Sequence, residues 1–166
     1  MSGPTLQDEL NRLHSEGKYM DAVELLTRAI RDKPDINELF LLRAHDLFKL
    51  EKFREAASDA GRAASLGAGV DAYLIQGKAL FRIGKFKESY DAFKEGKNKA
   101  GHTGALDEYG QWMAWCEERI KKQEENEQKK KMESQASKNA QERIKKQEEN
   151  EQKKKMESQA SKNAQG

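Results

Sequence analysis

Residues 17–34, GKYMDAVELLTRAIRDKP, decide the fold, because their chemistry returns twice further along the chain at a nearly fixed step. Tyr19, Phe53 and Phe86 lie 34 and then 33 residues apart, and the same two steps carry Ala22 to Ala56 to Ser89 and Ala29 to Ala63 to Gly96. An aromatic, a small residue three places on and another small residue seven further describe a helix-turn-helix unit that stacks on copies of itself. Inside the first copy, Met20, Val23, Leu26, Ala29 and Ile30 fall at three- and four-residue spacing, so one face of this helix is expected to seek a neighbour. Gly17 permits a tight turn before the helix, and Pro34 stops it.

Outward from that stretch, Thr5 is placed to cap a first helix over about Leu6 to Ser15. The second repeat pairs INELFLLRAHDLFKL with FREAASDAGRAASL, whose alanines predict close helix packing. The third covers about Val70 to Ala100. A glycine-bearing turn, AGHTGA, leads to a further helix in which Leu106, Tyr109, Met113, Cys116 and Ile120 recur every three or four residues. That helix is expected to cover the open end of the stack, with Trp112 and Trp115 flanking its apolar face, since terminal repeats need a cap. As partner anchors, the two tryptophans carry a second reading. The expected domains are 1–103 for three repeats (about 5–34, 35–69 and 70–100), 104–120 for the cap and 121–166 for a charged tail, helical or frayed.

The tail repeats itself letter for letter: residues 118–141 recur as 142–165. It holds 14 Lys and Arg against 10 Glu, so its net charge is +4 while the remainder of the chain is at −2. Glu118 and Lys122, Glu125 and Lys129, and Glu127 and Lys131 are Glu placed four residues before Lys, each pair adding about 0.2 to 0.5 kcal/mol to helix stability. Ile120, Met132, Ile144 and Met156 are spaced by 12 and so spiral around a helix rather than forming a coiled-coil seam. A solvated extension is favoured, with fraying expected near Ser134 to Asn139, where charge pairs thin out.

Composition narrows the function classes. The chain has 166 residues, is 36% hydrophobic and 36% charged, and carries a net charge of +2, which gives no argument for nucleic acid. One cysteine rules out an internal disulfide and a thiolate zinc site and fits a reducing compartment. No apolar run approaches a membrane span, and MSGPTLQDEL lacks a signal-peptide core; the expected location is the cytoplasm, with the nucleus as alternative. No catalytic constellation, metal set or cofactor loop is found. His14 and His45 lack a third ligand, and Gly101 and Gly104 frame His-Thr without the Lys-Ser/Thr of a nucleotide site.

These repeats resemble the tetratricopeptide (TPR) family over residues 5–100. The resemblance implies an all-α, right-handed solenoid of three helix-turn-helix repeats plus a capping helix extended into a long charged helical tail. It also implies that the first helices of the hairpins line a concave groove for a peptide or a partner's helix. Inward positions carried over are Asn11, His14, Leu41, His45, Phe48, Lys49, Leu74, Lys78, Phe81 and Arg82: an apolar floor with basic groups at one end, suited to a segment with Leu or Phe anchors and nearby acids. The plainer reading of Phe48 and Phe81 is packing against adjacent helices. Family members that grip an acidic C-terminus use a dicarboxylate clamp, whose positions here are Gln7, Asn11, Leu42, Asp71 and Ile75. Only Asn11 matches, and Asp71 opposes a carboxylate, so no working clamp is expected.

The run Trp112-Met113-Ala114-Trp115-Cys116-Glu117-Glu118-Arg119-Ile120-Lys121-Lys122 resembles the end of the TPR portion of the TPR-CS-SGS (SGT-one) co-chaperones. That resemblance implies a non-catalytic adaptor linked to ubiquitin-ligase or chaperone assembly, with a Skp-type ligase subunit or chaperone machinery as protein partner. A structural alternative stays open: a self-associating module, monomer or weak homodimer, that dimerises through its solenoid or its tail.

Overall fold

The computed structural model describes residues 3–101 and 106–166. The expected turn at His102, Thr103 and Gly104 lies outside the described residues, as does the side chain of Leu106. Among the described residues the regular structure is entirely helical: α1 (Leu6–Ser15), α2 (Tyr19–Asp32), α3 (Asn37–Lys49), α4 (Phe53–Ser65), α5 (Val70–Arg82), α6 (Phe86–Ala100) and α7 (Leu106–Ala164). By compactness the chain divides into Met1–Ile120 and Lys121–Gly166.

In the first unit, three antiparallel hairpins, α1/α2, α3/α4 and α5/α6, follow from the repeating sequence. Thr5 starts α1 with a reciprocal capping box: its hydroxyl accepts from the Asp8 amide, and its own amide donates to Asp8 Oδ2 at 3.0 Å. Each hairpin turns through the same hydrogen-bond pair. Lys18 N–H donates to Leu13 C=O and Gly17 N–H to His14 C=O; Lys52 to Leu47 and Glu51 to Phe48, then Lys85 to Leu80 and Gly84 to Phe81, repeat the pattern. This closure needs a left-handed residue at its centre. Gly17 (φ 70°) and Gly84 (φ 79°) meet that need without a side-chain clash, whereas the second hairpin puts Glu51 there at φ 58°.

Small residues set the helix separations. Ala22, Ala56, Ala60, Ala63 and Ala44 are fully buried, so neighbouring backbones approach closely. In the third hairpin, Gly77 makes room for the Phe93 ring: a Cβ on Gly77 would meet Phe93 Cε1 at 2.5 Å. One repeat position differs from expectation. Met20 is 42% exposed rather than part of the apolar face of α2, which is carried by Ala22, Leu26 and Ile30.

The start of α7 closes the last hairpin. Tyr109 is 1% exposed, sits over Gly96 and donates its hydroxyl to the Val70 carbonyl at 2.5 Å. Cys116 is fully buried, with Sγ 3.3 Å from Ser89 Oγ, and Ser89 donates in turn to the Gly77 carbonyl at 2.8 Å. The Trp112 ring stacks on Phe93 at 5.4 Å and 20°, which makes it part of the core rather than a flank, while Trp115 is 48% exposed. From 121 onward every residue is exposed, and the tail is helical through Ser134 to Asn139 as well. Lys121–Glu125 and Lys129–Glu133 reach 4.0 Å, each with Lys ahead of Glu.

Candidate functional site

The first helices of the three hairpins, α1, α3 and α5, bring equivalent positions of each repeat side by side, with α3 packed directly on α5. Their sequence-derived inward residues divide into two groups by exposure. Asn11, His45, Lys49 and Arg82 are exposed, while His14, Leu41, Phe48, Leu74, Lys78 and Phe81 are half-buried.

The aromatic members are engaged within the fold. Phe48 meets Phe53 edge-on at 5.1 Å, and Phe81 meets Phe86 at 5.0 Å and Trp112 at 5.4 Å. His14 and Tyr19 occupy the same places in the first hairpin, 5.8 Å apart. A ladder of ring pairs therefore runs along the hairpin turns and ends at Trp112 and Trp115, 4.9 Å apart and nearly perpendicular. Phe81, Trp112, Trp115 and Arg119 line a shallow cavity of about 310 Å³ at that end.

Two cations of the expected basic end are also held. Lys78 pairs with Glu108 of α7 at 2.7 Å and lies 5.7 Å from the Trp112 ring centre. The Arg82 guanidinium stacks on Phe53 at 4.4 Å, a cation–π geometry. Basic charge at this end is thus spent on holding the cap and the neighbouring hairpin, and Lys49 remains as an exposed cation of α3.

One polar pair was not foreseen. Asp46 is 3% exposed, with Oδ1 2.8 Å from His14 Nε2 and, among the described residues, Oδ2 without a hydrogen-bond partner. Burial pushes the Asp46 carboxyl above its ordinary pKa, against the pull of His14 and His45. The link ties α1 to α3. A signal for it existed in the register, because the equivalent residue of the third repeat is the fully buried Ala79. Although His45 reaches the surface, desolvation by its packed neighbours lowers its imidazole, opposed by Asp71 and Asp46 and aided by Lys78 and Lys49, so His45 stands amid the charges of α3 and α5.

At the places where a dicarboxylate clamp would sit, Gln7 donates to Asn11 Oδ1 at 2.9 Å, Leu42 packs on the core of the first two hairpins, and Ile75 is 9% exposed beside Ala44 and Ala60. Asp71 is exposed. Among the described residues no group of three His, Cys, Asp or Glu side chains could hold a metal ion, and no helix is long and apolar enough to cross a membrane.

No protein-family model matches the sequence, and no curated protein matches it. Solved structures do. The TPR2B-domain:pHsp70 complex of yeast Sti1 superposes with a TM-score of 0.63 at 19% identity, over 69% of this chain and 94% of that one. The second TPR domain of human RPAP3, in complex with the HSP70 peptide SGPTIEEVD, gives 0.61 at 25% identity, over 68% and 92%. The Sgt2 TPR domain from Aspergillus fumigatus gives 0.63 at 22% identity, over 72% and 80%.

Proposed function

We propose that the chain, whose hairpins share the fold of TPR domains, is a non-catalytic protein-interaction module that receives a partner segment along α1, α3 and α5 without a dicarboxylate clamp. The observation that carries this reading is the replacement of clamp chemistry: Leu42 and Ile75 are packed in the core, and Asp71 puts negative charge where an anchor would need a cation. TPR domains of similar fold that were solved with HSP70 or HSP90 peptides support the peptide-binding class. Half-buried Leu41 and Leu74, with exposed Asn11, His45 and Lys49 beside them, favour a segment anchored by an aliphatic side chain and flanked by an acid near Lys49. The chain acts in the cytoplasm as an adaptor of co-chaperone type, and a Skp-type ubiquitin-ligase subunit is the first partner to try.

Calorimetry with the peptide SGPTIEEVD is expected to show no saturable heat at millimolar concentration. Co-precipitation with mass spectrometry should yield a partner that is lost when His45→Glu and Lys49→Glu are introduced together, because both are exposed and their loss leaves the core intact. Tight binding of SGPTIEEVD, or undiminished capture by the double variant, would overturn the reading.

A further inference from the structure

The repeat register lets each position be followed from one hairpin to the next, and on the side of the second helices three positions change together. Between α2 and α4, Arg43 reaches across from α3. Its Nε and Nη2 donate to Asp59 Oδ2 and Oδ1 at 2.6 and 2.8 Å, and its Nη1 donates to Thr27 Oγ1 at 3.0 Å. A bidentate guanidinium thus ties α2 to α4 and fills the notch between them, leaving about 330 Å³. Moved on by one repeat, Thr27 becomes Gly61, Arg43 becomes Gln76 and Asp59 becomes Ala92. Every member of the plug is gone. Gln76 lies against Gly61, where a Cβ would come within 2.9 Å of its Nε2. The notch between α4 and α6 is correspondingly about 630 Å³, with Ala57, Leu80 and Ala92 along its floor.

Its rim changes in the complementary sense. Glu55, Ser58 and Arg62 on α4, together neutral, correspond to Glu88, Asp91 and Glu95 on α6, all acidic and on one face of the helix. Glu88 holds Lys85 at 3.1 Å, and Asp91 and Glu95 are exposed on the same face. Two cations border the same cavity, Lys85, which Glu88 holds, and Arg54 in the first turn of α4, about two helical turns from the level of Glu95; Lys99 is drawn over the Tyr73 ring at 5.8 Å. A cavity has opened where a guanidinium sat, and its border has gained negative charge.

We propose that this notch is a docking surface, distinct from the α1/α3/α5 face, for a protein segment that presents an arginine. The partner's guanidinium enters between α4 and α6 and pairs with Asp91 and Glu95, occupying from outside the place that Arg43 fills from within one repeat earlier. Apolar neighbours of that arginine cover Ala57, Leu80 and Ala92. Arginine suits the site better than lysine because the template contact is a planar, two-pronged one.

The full chain, labelled with ¹⁵N, is titrated with the amidated peptide acetyl-Ala-Leu-Arg-Ala-Leu-Ala and with the same peptide carrying citrulline, the uncharged isostere, in place of arginine. Saturable shifts are expected at Ala57, Gly61, Gln76 and Ala92, with affinity at least tenfold lower for the citrulline peptide. The paired variant Gln76→Arg/Ala92→Asp, which rebuilds the internal plug, should abolish these shifts. Asp91→Asn/Glu95→Gln, both on the surface, should weaken binding at least fivefold with an unchanged melting temperature, and this variant decides the matter if the plugged one does not fold. Absence of saturable shifts at millimolar peptide, equal affinity for both peptides, or shifts confined to α1, α3 and α5 would each overturn the proposal. Because the surfaces are separate, partner capture through His45 and Lys49 stands or falls independently.

Discussion

Replacing Gly96 with alanine tests whether the start of α7 is seated on the last hairpin as the structure has it. An added Cβ would lie 2.5 Å from Tyr109 Cε1 and 2.7 Å from its hydroxyl, well inside ordinary van der Waals contact. The ring has nowhere to swing: its hydroxyl is held by Val70, and Phe93 meets it edge-on at 6.2 Å. Overpacking of this kind costs about 1–3 kcal/mol, and a rigid neighbour puts the site near the upper end. Alanine returns about 1 kcal/mol through helix propensity, leaving a net loss of about 2 kcal/mol. For a unit of about 120 residues, 1 kcal/mol moves the melting temperature by about 4 °C, so Gly96→Ala should melt about 8 °C lower. Gly110 is the control. It lies in α7 one residue after Tyr109, and its Cβ would meet nothing within 4 Å, so Gly110→Ala should gain up to about 1 kcal/mol and melt up to about 4 °C higher. Tryptophan fluorescence is the suitable probe because Trp112 stacks on Phe93, whereas far-ultraviolet circular dichroism also reports the exposed helical tail. Equal shifts of the same sign for the two variants would refute the docking of Tyr109 over Gly96.

Other predictions concern the hairpin turn, alkaline pH and the tail. Glu51→Gly, which puts the residue of the other two hairpins into the left-handed position, should raise stability by about 0.5–1 kcal/mol after the added backbone entropy of glycine, measured by urea unfolding. Burial above all pushes the Tyr109 phenol up to about 12, with nearby Asp71 and Glu108 adding to the shift. The neutral phenol is therefore favoured in the fold: its contribution is full below pH 10, where the unfolded phenol is also neutral, and is lost as pH rises from 10 through 12. Tyr109→Phe should cost about 1 kcal/mol at pH 8 through the lost hydrogen bond and should flatten this alkaline decline, read as melting temperature against pH. Hydrogen exchange should show amides 134–141 opening faster than those of 121–131, since the former segment has no apolar contact and few charge pairs to hold its helix.

What could be read from the sequence follows from which forces are local and periodic. The ladders through Tyr19, Ala22 and Ala29 mark places where one hairpin touches its own partner helix or the next, and such contacts repeat because the geometry repeats. Helix bounds, the cap at Thr5 and the burial of Cys116 came from the same logic. The candidate site was harder, because its residues choose partners across helices that no spacing rule connects. Lys78 was legible as an inward cation; its capture by Glu108 depends on how α7 crosses α5. Arg82 likewise stacks on a ring from the preceding hairpin. The Asp46–His14 contact was hidden because helical periodicity treats an aspartate as solvent-facing, and only the comparison with Ala79 exposes the position as buried.

That comparison holds more widely. A stacked-repeat chain carries its own internal controls, since each structural position is sampled three times in nearly the same surroundings. Where all copies agree, as with Ala22, Ala56 and Ser89, steric closeness leaves room only for a small side chain. Where one copy departs, the departure has a local physical account. Glu51 accepts backbone strain that Gly17 and Gly84 avoid; Asp46 takes a buried charge that Ala79 does not, and is answered by His14. At the α4/α6 notch the Arg43–Asp59–Thr27 plug is lost, and neither Gln76 nor Ala92 replaces the guanidinium or its acceptor. An unanswered departure beside a newly acidic rim is the kind expected where the missing chemistry arrives on another molecule.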